Sequence, residues 1–336
     1  MRGSASRDGH ASKGFGEQVR ADLRVRSAVL GVLVLVLSSA CAAGGPFGPG
    51  GSGGPITIAV QPTQTAAELT ASATEIADFL SERMGRKVEL VFPTTYAGVV
   101  ESLRFGHADA AFMSAWPARL AWKHADADVA LAEIREVVIG QDKRNEPFYF
   151  SYWVVPPNST ATKLEDLRGK RVAFSSPLST SGYVAPLARL IELGLVPKPA
   201  PGKEADPKTF FGEVTFAGGY SQGWTALKAG QVDATIIAGD VSESLYREVI
   251  AGTRVIEQQG PVPSHAVVFA KQLDSATKDK LKAALIELGD EEHRPLMRKF
   301  ISGIFVGFKE TTAEEHLGPL TAFLDATQLA FVETLR

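Results

Sequence analysis

LRFGHADA (residues 103–110) recurs as LKAGQVDA (residues 227–234), and both stretches read L-x-x-G-x-x-D-A. The pattern is that of a helix running into a strand. Leu103 and Leu227 sit on the last apolar turn, Gly106 and Gly230 supply the left-handed residue that ends the helix, and an apolar run follows. Asp109 and Asp233 read as turn residues at this joint. A repeat of this kind implies two similar α/β lobes in series.

The elements on either side agree. ITIAV (56–60) is a short apolar run of buried-strand type, and Thr65 with Glu68 makes a capping box for a helix that carries Leu69, Ala73, Ile76, Leu80 and Met84 and stops at Gly85. KVELVF (87–92), a helix from Tyr96 and DAAFM (109–113) complete a β-α-β-α-β run. The second lobe repeats it with KRVAF (170–174), a helix over 182–193, EVTFA (213–217), a helix over 222–229 and DATIIA (233–238). Such runs imply parallel strands joined by right-handed crossovers. FYFSYWVV (148–155) and SHAVVFA (264–270) are extended passages flanking the second lobe and predict a two-strand hinge. The expected division is residues 56–150 with 266–336 for lobe 1 and residues 151–265 for lobe 2. The tail from Ser275, a cap candidate, reads as helical, with a further capping box at Thr312 and Glu315, and is expected to pack on lobe 1.

The chain has 336 residues, 45% hydrophobic and 22% charged, which is ordinary globular composition with length for about two domains. A net charge of −3 argues against nucleic acid as a partner. One cysteine excludes an internal disulfide framework, and six scattered histidines show no metal-ligand spacing. Neither a Ser-His-Asp set nor a carboxylate pair set in a motif points to catalysis, so no enzyme activity, cofactor or metal is expected.

Ahead of the lobes, Arg20, Arg24 and Arg26 precede an apolar run from Ala28 to Leu37, then Ser38, Ser39, Ala40 and Cys41. This is a secretory signal, with an apolar run shorter than the roughly 20 residues of a membrane span. Val19 is an alternative start that would leave a short basic leader. The junction resembles the lipobox of bacterial lipoproteins, which implies acylation of Cys41 and a lipid anchor on the outer face of the cytoplasmic membrane. Ser38 stands where that motif usually has Leu. Residues 42–55 (AAGGPFGPGGSGGP) read as a flexible tether with a reach of about 20 Å.

The candidate site is FSSPLSTSGYVAP (174–186), where a strand ends, hydroxyls gather at Ser179, Thr180 and Ser181, and Gly182 leads into a helix. The unpaired amides of a helix start, added hydroxyl donors and a glycine that admits a ligand suit a tetrahedral oxyanion. One hydroxyl suffices for capping, so these residues alone leave capping and anion binding both open.

LEDLRGKRVAF (164–174), PLSTSGY (177–183) and TTYAGVVESLRFGHADAAF (94–112) resemble the phosphonate, phosphite and phosphate solute-binding proteins of ABC transporters. The resemblance covers residues 56–270. It implies a two-lobe periplasmic-binding-protein type II fold, each lobe a mainly parallel sheet flanked by helices. It also implies closure over a small oxyanion and delivery to ABC permease and ATPase subunits, by a monomer. Ligand contacts carried over by motif are Ser179, Thr180, Ser181, Tyr96 and, less directly, Tyr149. Thr95 stands where the family usually has Asp before that first tyrosine. Tyr220 occupies the position of a family His, and Asp240 that of a carboxylate pairing with a ligand ammonium. Tyr is a neutral donor where a charged His would donate more strongly. Trp116 and Trp224 read as core packing or as walls for a ligand tail, Gln61, Thr63 and Gln64 lie at a strand's ligand-binding end, and His265 reads as a ligand contact or a turn cap. The tryptophans and the missing His keep a sulfonate, a thiamine-like compound or a ligand-sensing role as alternatives.

Overall fold

The computed structural model describes residues 54–330 except 64, 65 and 140. Cys41, the tether up to residue 53, Gln64 and the Thr65–Glu68 capping box lie outside the described residues.

In chain order the first lobe runs β1 (Ile56–Val60), α1 (Ala66–Met84), β2 (Val88–Val91), α2 (Tyr96–Arg104), β3 (Ala110–Met113), α3 (Ala115–His124), β4 (Asp128–Ile139) and β5 (Asp142–Glu146). The chain then enters the second sheet with β6 (Phe148–Val155), β7 (Arg171–Phe174), α4 (Ala185–Glu192), β8 (Glu213–Phe216), α5 (Tyr220–Lys228), β9 (Ala234–Ala238), α6 (Glu243–Ala251) and β10 (Arg254–Pro263). It returns through β11 (Ala266–Phe269), α7 (Ser275–Glu287), α8 (Arg294–Phe300), β12 (Phe305–Glu310), α9 (Ala313–Leu317) and α10 (Leu320–Thr327).

Each sheet is built on the same parallel trio. In the first, β1 lies between β2 and β3; in the second, β7 lies between β8 and β9. The strands that arrive from the other lobe run the opposite way. β11 pairs antiparallel with β3 and β4, and β6 pairs antiparallel with β9 and β10. The resulting orders are β12-β4-β11-β3-β1-β2, with β5 on β4, and β10-β6-β9-β7-β8.

The repeated joints are superimposable in their chemistry. Gly106 and Gly230 hold φ of 72° and 68°, the left-handed conformation that glycine adopts without a Cβ clash. Asp109 Oδ2 accepts the Thr57 amide at 2.9 Å, and Asp233 Oδ2 accepts the Arg171 amide at 2.9 Å. Each aspartate therefore does more than turn the chain: it ties the third strand of its trio to the first.

The chain crosses between sheets at Pro147 and at Ser264–His265, where the Ser264 amide donates to the Pro147 carbonyl at 3.0 Å. FYFSYWVV is thus a strand of the second sheet, and SHAVVFA continues into a central strand of the first. The tail departs from the all-helical expectation. FVGFKE forms β12 on β4, since the edge of β4 offers unpaired backbone groups to it. Helices α7 and α8 pack on α1, whereas α10 packs on α4, so the last helix crosses to the second lobe. Asp274, rather than Ser275, caps α7 by accepting the Thr277 amide at 2.9 Å. Among the described residues no helix is long and apolar enough to cross a membrane.

Candidate oxyanion site between the lobes

Strand β7 ends at Phe174, and the chain enters α4 through a π-helical turn over Thr180–Val184. Such wide turns leave backbone groups off the regular ladder and recur at functional sites. Ser179 caps this turn, accepting the Gly182 amide at 3.0 Å. Gly182 is required by space: a Cβ there would lie 1.9 Å from Ser175 Oγ and 2.8 Å from Ser179 Oγ. The hydroxyls are consequently drawn into one buried cluster. Ser181 Oγ shares a 2.6 Å hydrogen bond with Tyr220 Oη, which also bonds Ser179 Oγ at 3.2 Å. Tyr149 Oη donates to Ser181 Oγ at 2.7 Å. Behind it, Gln259 Nε2 donates to Ser151 Oγ at 2.7 Å, and Ser151 Oγ donates to the Ser181 carbonyl at 2.9 Å.

Tyr96, the first residue of α2, approaches from the other lobe and is 1% exposed. Its hydroxyl faces Ser179, Ser175 and Gln61 without a partner in bonding geometry. Burial pushes the Tyr96 hydroxyl up to about 12 and raises Tyr149 and Tyr220 as well. All three phenols therefore stay protonated and act as neutral donors near pH 7.

The lobes meet directly around this cluster. The Trp116 amide donates to Thr180 Oγ1 at 2.9 Å, and the Tyr220 amide donates to the Thr63 carbonyl at 3.0 Å. Farther along, the Gly303 amide donates to the Val241 carbonyl at 2.8 Å. Gly219 permits the second of these contacts, since a Cβ there would come within 3.1 Å of the Pro62 carbonyl oxygen and 3.2 Å of the Thr63 one. Gln61 braces the first-lobe side, its Oε1 accepting from both the amide and the hydroxyl of Ser114 at 3.0 Å.

Asp240 lies beneath the tyrosines in a buried ionic cluster. The Arg135 guanidinium, 0% exposed, pairs with Glu133 and lies 3.2 Å from Asp240 Oδ2. It also donates to Ser302 Oγ and stands 5.6 Å from the Tyr149 ring centre. His265 Nε2 is 3.5 Å from Asp240 Oδ2. Burial lifts Glu133 to about 7 and Asp240 to about 6 against the opposing pull of Arg135, and holds His265 well below its ordinary value. His265 is accordingly part of this cluster and not a simple turn cap. The Asp240 carboxylate, the expected partner of a ligand ammonium, faces an internal cation here.

The sequence-predicted residues Ser179, Thr180, Ser181, Tyr96, Tyr149 and Tyr220 come together at one place, and Asp240 underlies them. Trp224 stands outside the hydroxyl network: its indole donates to Glu248 at 2.8 Å, while its ring packs in the core cluster that also holds Tyr149 and Tyr220. Sequence reasoning missed Ser151, Ser175, Gln259, Glu133 and Arg135. Only Ser175 carried a signal, as a further hydroxyl in the same FSSPLSTSG stretch.

The sequence model of the ABC-transporter phosphonate periplasmic substrate-binding protein family matches residues 58–316. A phosphate-import protein, PhnD, of Mycolicibacterium smegmatis is 34% identical over 221 residues, covering 65% of this chain and 65% of that relative, so the match spans less than two thirds of the relative's length. A binding protein component of an ABC phosphonate transporter from Pseudomonas aeruginosa shares the fold with a TM-score of 0.66 at 19% identity, over 80% of this chain and 85% of that one. PhnD1 of Prochlorococcus marinus, solved in complex with methylphosphonate, shares it with a TM-score of 0.65 at 14% identity, over 83% of this chain and 98% of that one. The architecture is thus the two-lobe fold of periplasmic binding proteins.

Proposed function

Because the chain belongs to the ABC-transporter phosphonate periplasmic substrate-binding protein family, we propose that it captures a small phosphate- or phosphonate-type oxyanion between its lobes and presents it to an ABC importer. One observation carries this reading. Ser179, Ser181, Tyr149 and Tyr220 converge as hydroxyl donors on the π-helical turn before α4, with Thr180 and Tyr96 beside them at the meeting of the lobes. Hydroxyls and helix-start amides suit a tetrahedral oxyanion, and the cluster itself contains no lysine or arginine. Phosphate import by the M. smegmatis relative and the methylphosphonate held by the P. marinus neighbour are consistent with that ligand class.

The same proposal makes the chain a binding protein and not an enzyme, monomeric, working at the outer face of the cytoplasmic membrane. A diacylated Cys41 would anchor it there, two chains being enough for stable attachment at about 0.8 kcal/mol per buried CH₂. Incorporation of labelled palmitate that is lost in Cys41→Ser tests the anchor.

The ligand is tested by thermal shift with phosphate, phosphite, methylphosphonate, 2-aminoethylphosphonate, sulfate and a sulfonate. A ligand at 100 times its Kd stabilises by about 2.7 kcal/mol. Stabilisation by phosphorus oxyanions that falls in Ser181→Ala and Tyr220→Phe is expected. A response to the sulfonate alone would reverse the ligand assignment.

A further inference from the structure

Beside the hydroxyl cluster, a cleft of about 290 Å³ opens between the lobes. Its first-lobe wall includes Thr95, Tyr96 and Ala97, and its second-lobe wall includes Ser175, Leu178 and Phe216. Two features make it more than a surface groove. Tyr96 and Ser175 both line it and are 1% and 3% exposed, and their buried hydroxyls, which face each other, have no hydrogen-bond partner in bonding geometry. Buried polar groups left unpaired cost stability, so a pair of them beside a cleft marks a place where a ligand's acceptor oxygens are accommodated. The same two residues border the hydroxyl cluster. Tyr96 faces Ser179, and Ser175 Oγ abuts Gly182.

The walls set the chemistry of a group extending outward from the oxyanion. None of the residues lining the cleft is charged. Leu178 packs with the first-lobe core residues, while Phe216 is 42% exposed and stacks edge-on against Tyr183 at 5.0 Å. An aromatic face held by a second ring and left open to a cleft is a wall for an apolar group. In the opposite direction, beneath the tyrosines, the carboxylates of Asp240 and Glu133 both already face the internal guanidinium of Arg135.

We infer that the cleft is a subsite for an uncharged organic substituent. On this inference, which rests on the oxyanion reading above, the preferred ligand is a monosubstituted phosphonate or phosphate ester with a neutral alkyl or aryl group, oriented with its oxygens on the hydroxyl cluster and its substituent outward past Phe216.

The test is isothermal titration of the folded body with inorganic phosphate, methylphosphonate, phenylphosphonate and 2-aminoethylphosphonate, in the native chain and in Phe216→Ala, with circular dichroism to show that the variant is folded. Phenylphosphonate is expected to bind roughly tenfold tighter than inorganic phosphate, and Phe216→Ala to remove most of that preference. Phosphate binding as tightly as phenylphosphonate, or 2-aminoethylphosphonate binding tighter than both, would overturn the subsite while leaving the oxyanion reading intact. Equal losses for every ligand in Phe216→Ala would also overturn it. Failure of all four ligands to bind would instead bring down the functional reading itself.

Discussion

The two L-x-x-G-x-x-D-A joints are nearly the same object, yet the turns they support have nothing in common. Asp109 and Asp233 each accept the amide of the neighbouring first strand at 2.9 Å, and each glycine before them is left-handed. After β1, however, the first lobe offers, among the described residues, the amide side chain of Gln61 braced by Ser114 and the main-chain carbonyl of Thr63 that accepts the Tyr220 amide. After β7, the second lobe offers Ser175, Ser176 and Ser179 ahead of a widened helical turn and Thr180 and Ser181 on it. The strand-tying joint repeats because any parallel trio needs it. The turn at the strands' carboxyl ends is free to differ, and that is where ligand chemistry sits in open α/β sheets.

Severing what joins the unlike halves should have the largest effect. Arg135→Met would leave the buried carboxyls of Glu133 and Asp240 without their cation, forcing them to bind protons or stay as uncompensated charges, with an expected loss of about 3–5 kcal/mol in urea unfolding. A loss below about 1 kcal/mol would show that the cluster is dispensable to the fold.

The same cluster predicts a pH signature. Burial holds Glu133 at about 7, above its ordinary 4.5, so between those values the folded chain keeps a proton that the unfolded chain releases. Stability contributed through this group therefore falls as pH rises from about 4.5 to 7. His265, held neutral, acts in the opposite sense and costs stability as pH falls below about 6.5. Glu133→Gln removes only the first effect, so its melting temperature should gain on the native chain between pH 5 and pH 8. A gap that stays constant would mean that Glu133 does not titrate in this window.

The turns can be contrasted by matched glycines. Gly182→Ala forces a Cβ to within 1.9 Å of Ser175 Oγ and should cost about 1–3 kcal/mol together with oxyanion affinity. Gly98→Ala, early in α2, meets Thr95 Oγ1 at 3.2 Å, a tight contact that the gain of up to about 1 kcal/mol in helix propensity offsets. Near-neutrality of the second beside damage from the first, by thermal melting, sharpens the contrast; equal effects break it.

The smallest difference is expected where the lobes agree. Asp109→Ala and Asp233→Ala should each cost about 1 kcal/mol for a strand amide left unpaired. Asp233 also meets Arg171 at 2.8 Å, but both side chains are about a third or more exposed, so the pair adds little. A gap above about 1 kcal/mol between the two variants, by chemical denaturation, would give Arg171 a larger part.

Legibility in the sequence divides along the same line. The β-α-β runs, the joints and the hydroxyl turn are local patterns with their own spacing, and they could be read directly. Arg135 and Glu133 sit inside a strand, DVALAEIREVVI, where nothing local says that they meet Asp240 on a distant stretch of chain. The Trp116–Thr180 and Tyr220–Thr63 contacts depend on how two lobes meet, which no window of sequence encodes. β12 was missed because FVGFKE gains its strand identity only from the open edge of β4, and the packing of the helical α10 on α4 instead of on lobe 1 because that partner belongs to the other lobe.

The bond between the Tyr220 amide and the Thr63 carbonyl is made wholly by main chain, on the same residue whose side chain reaches Ser179 and Ser181. Grip and clasp are therefore separable at position 220. A histidine, a tyrosine or another donor can be exchanged there without touching the contact that fastens the lobes, since every residue but proline carries that amide. Such a position can drift in ligand preference over generations while the machinery of closing is inherited unchanged.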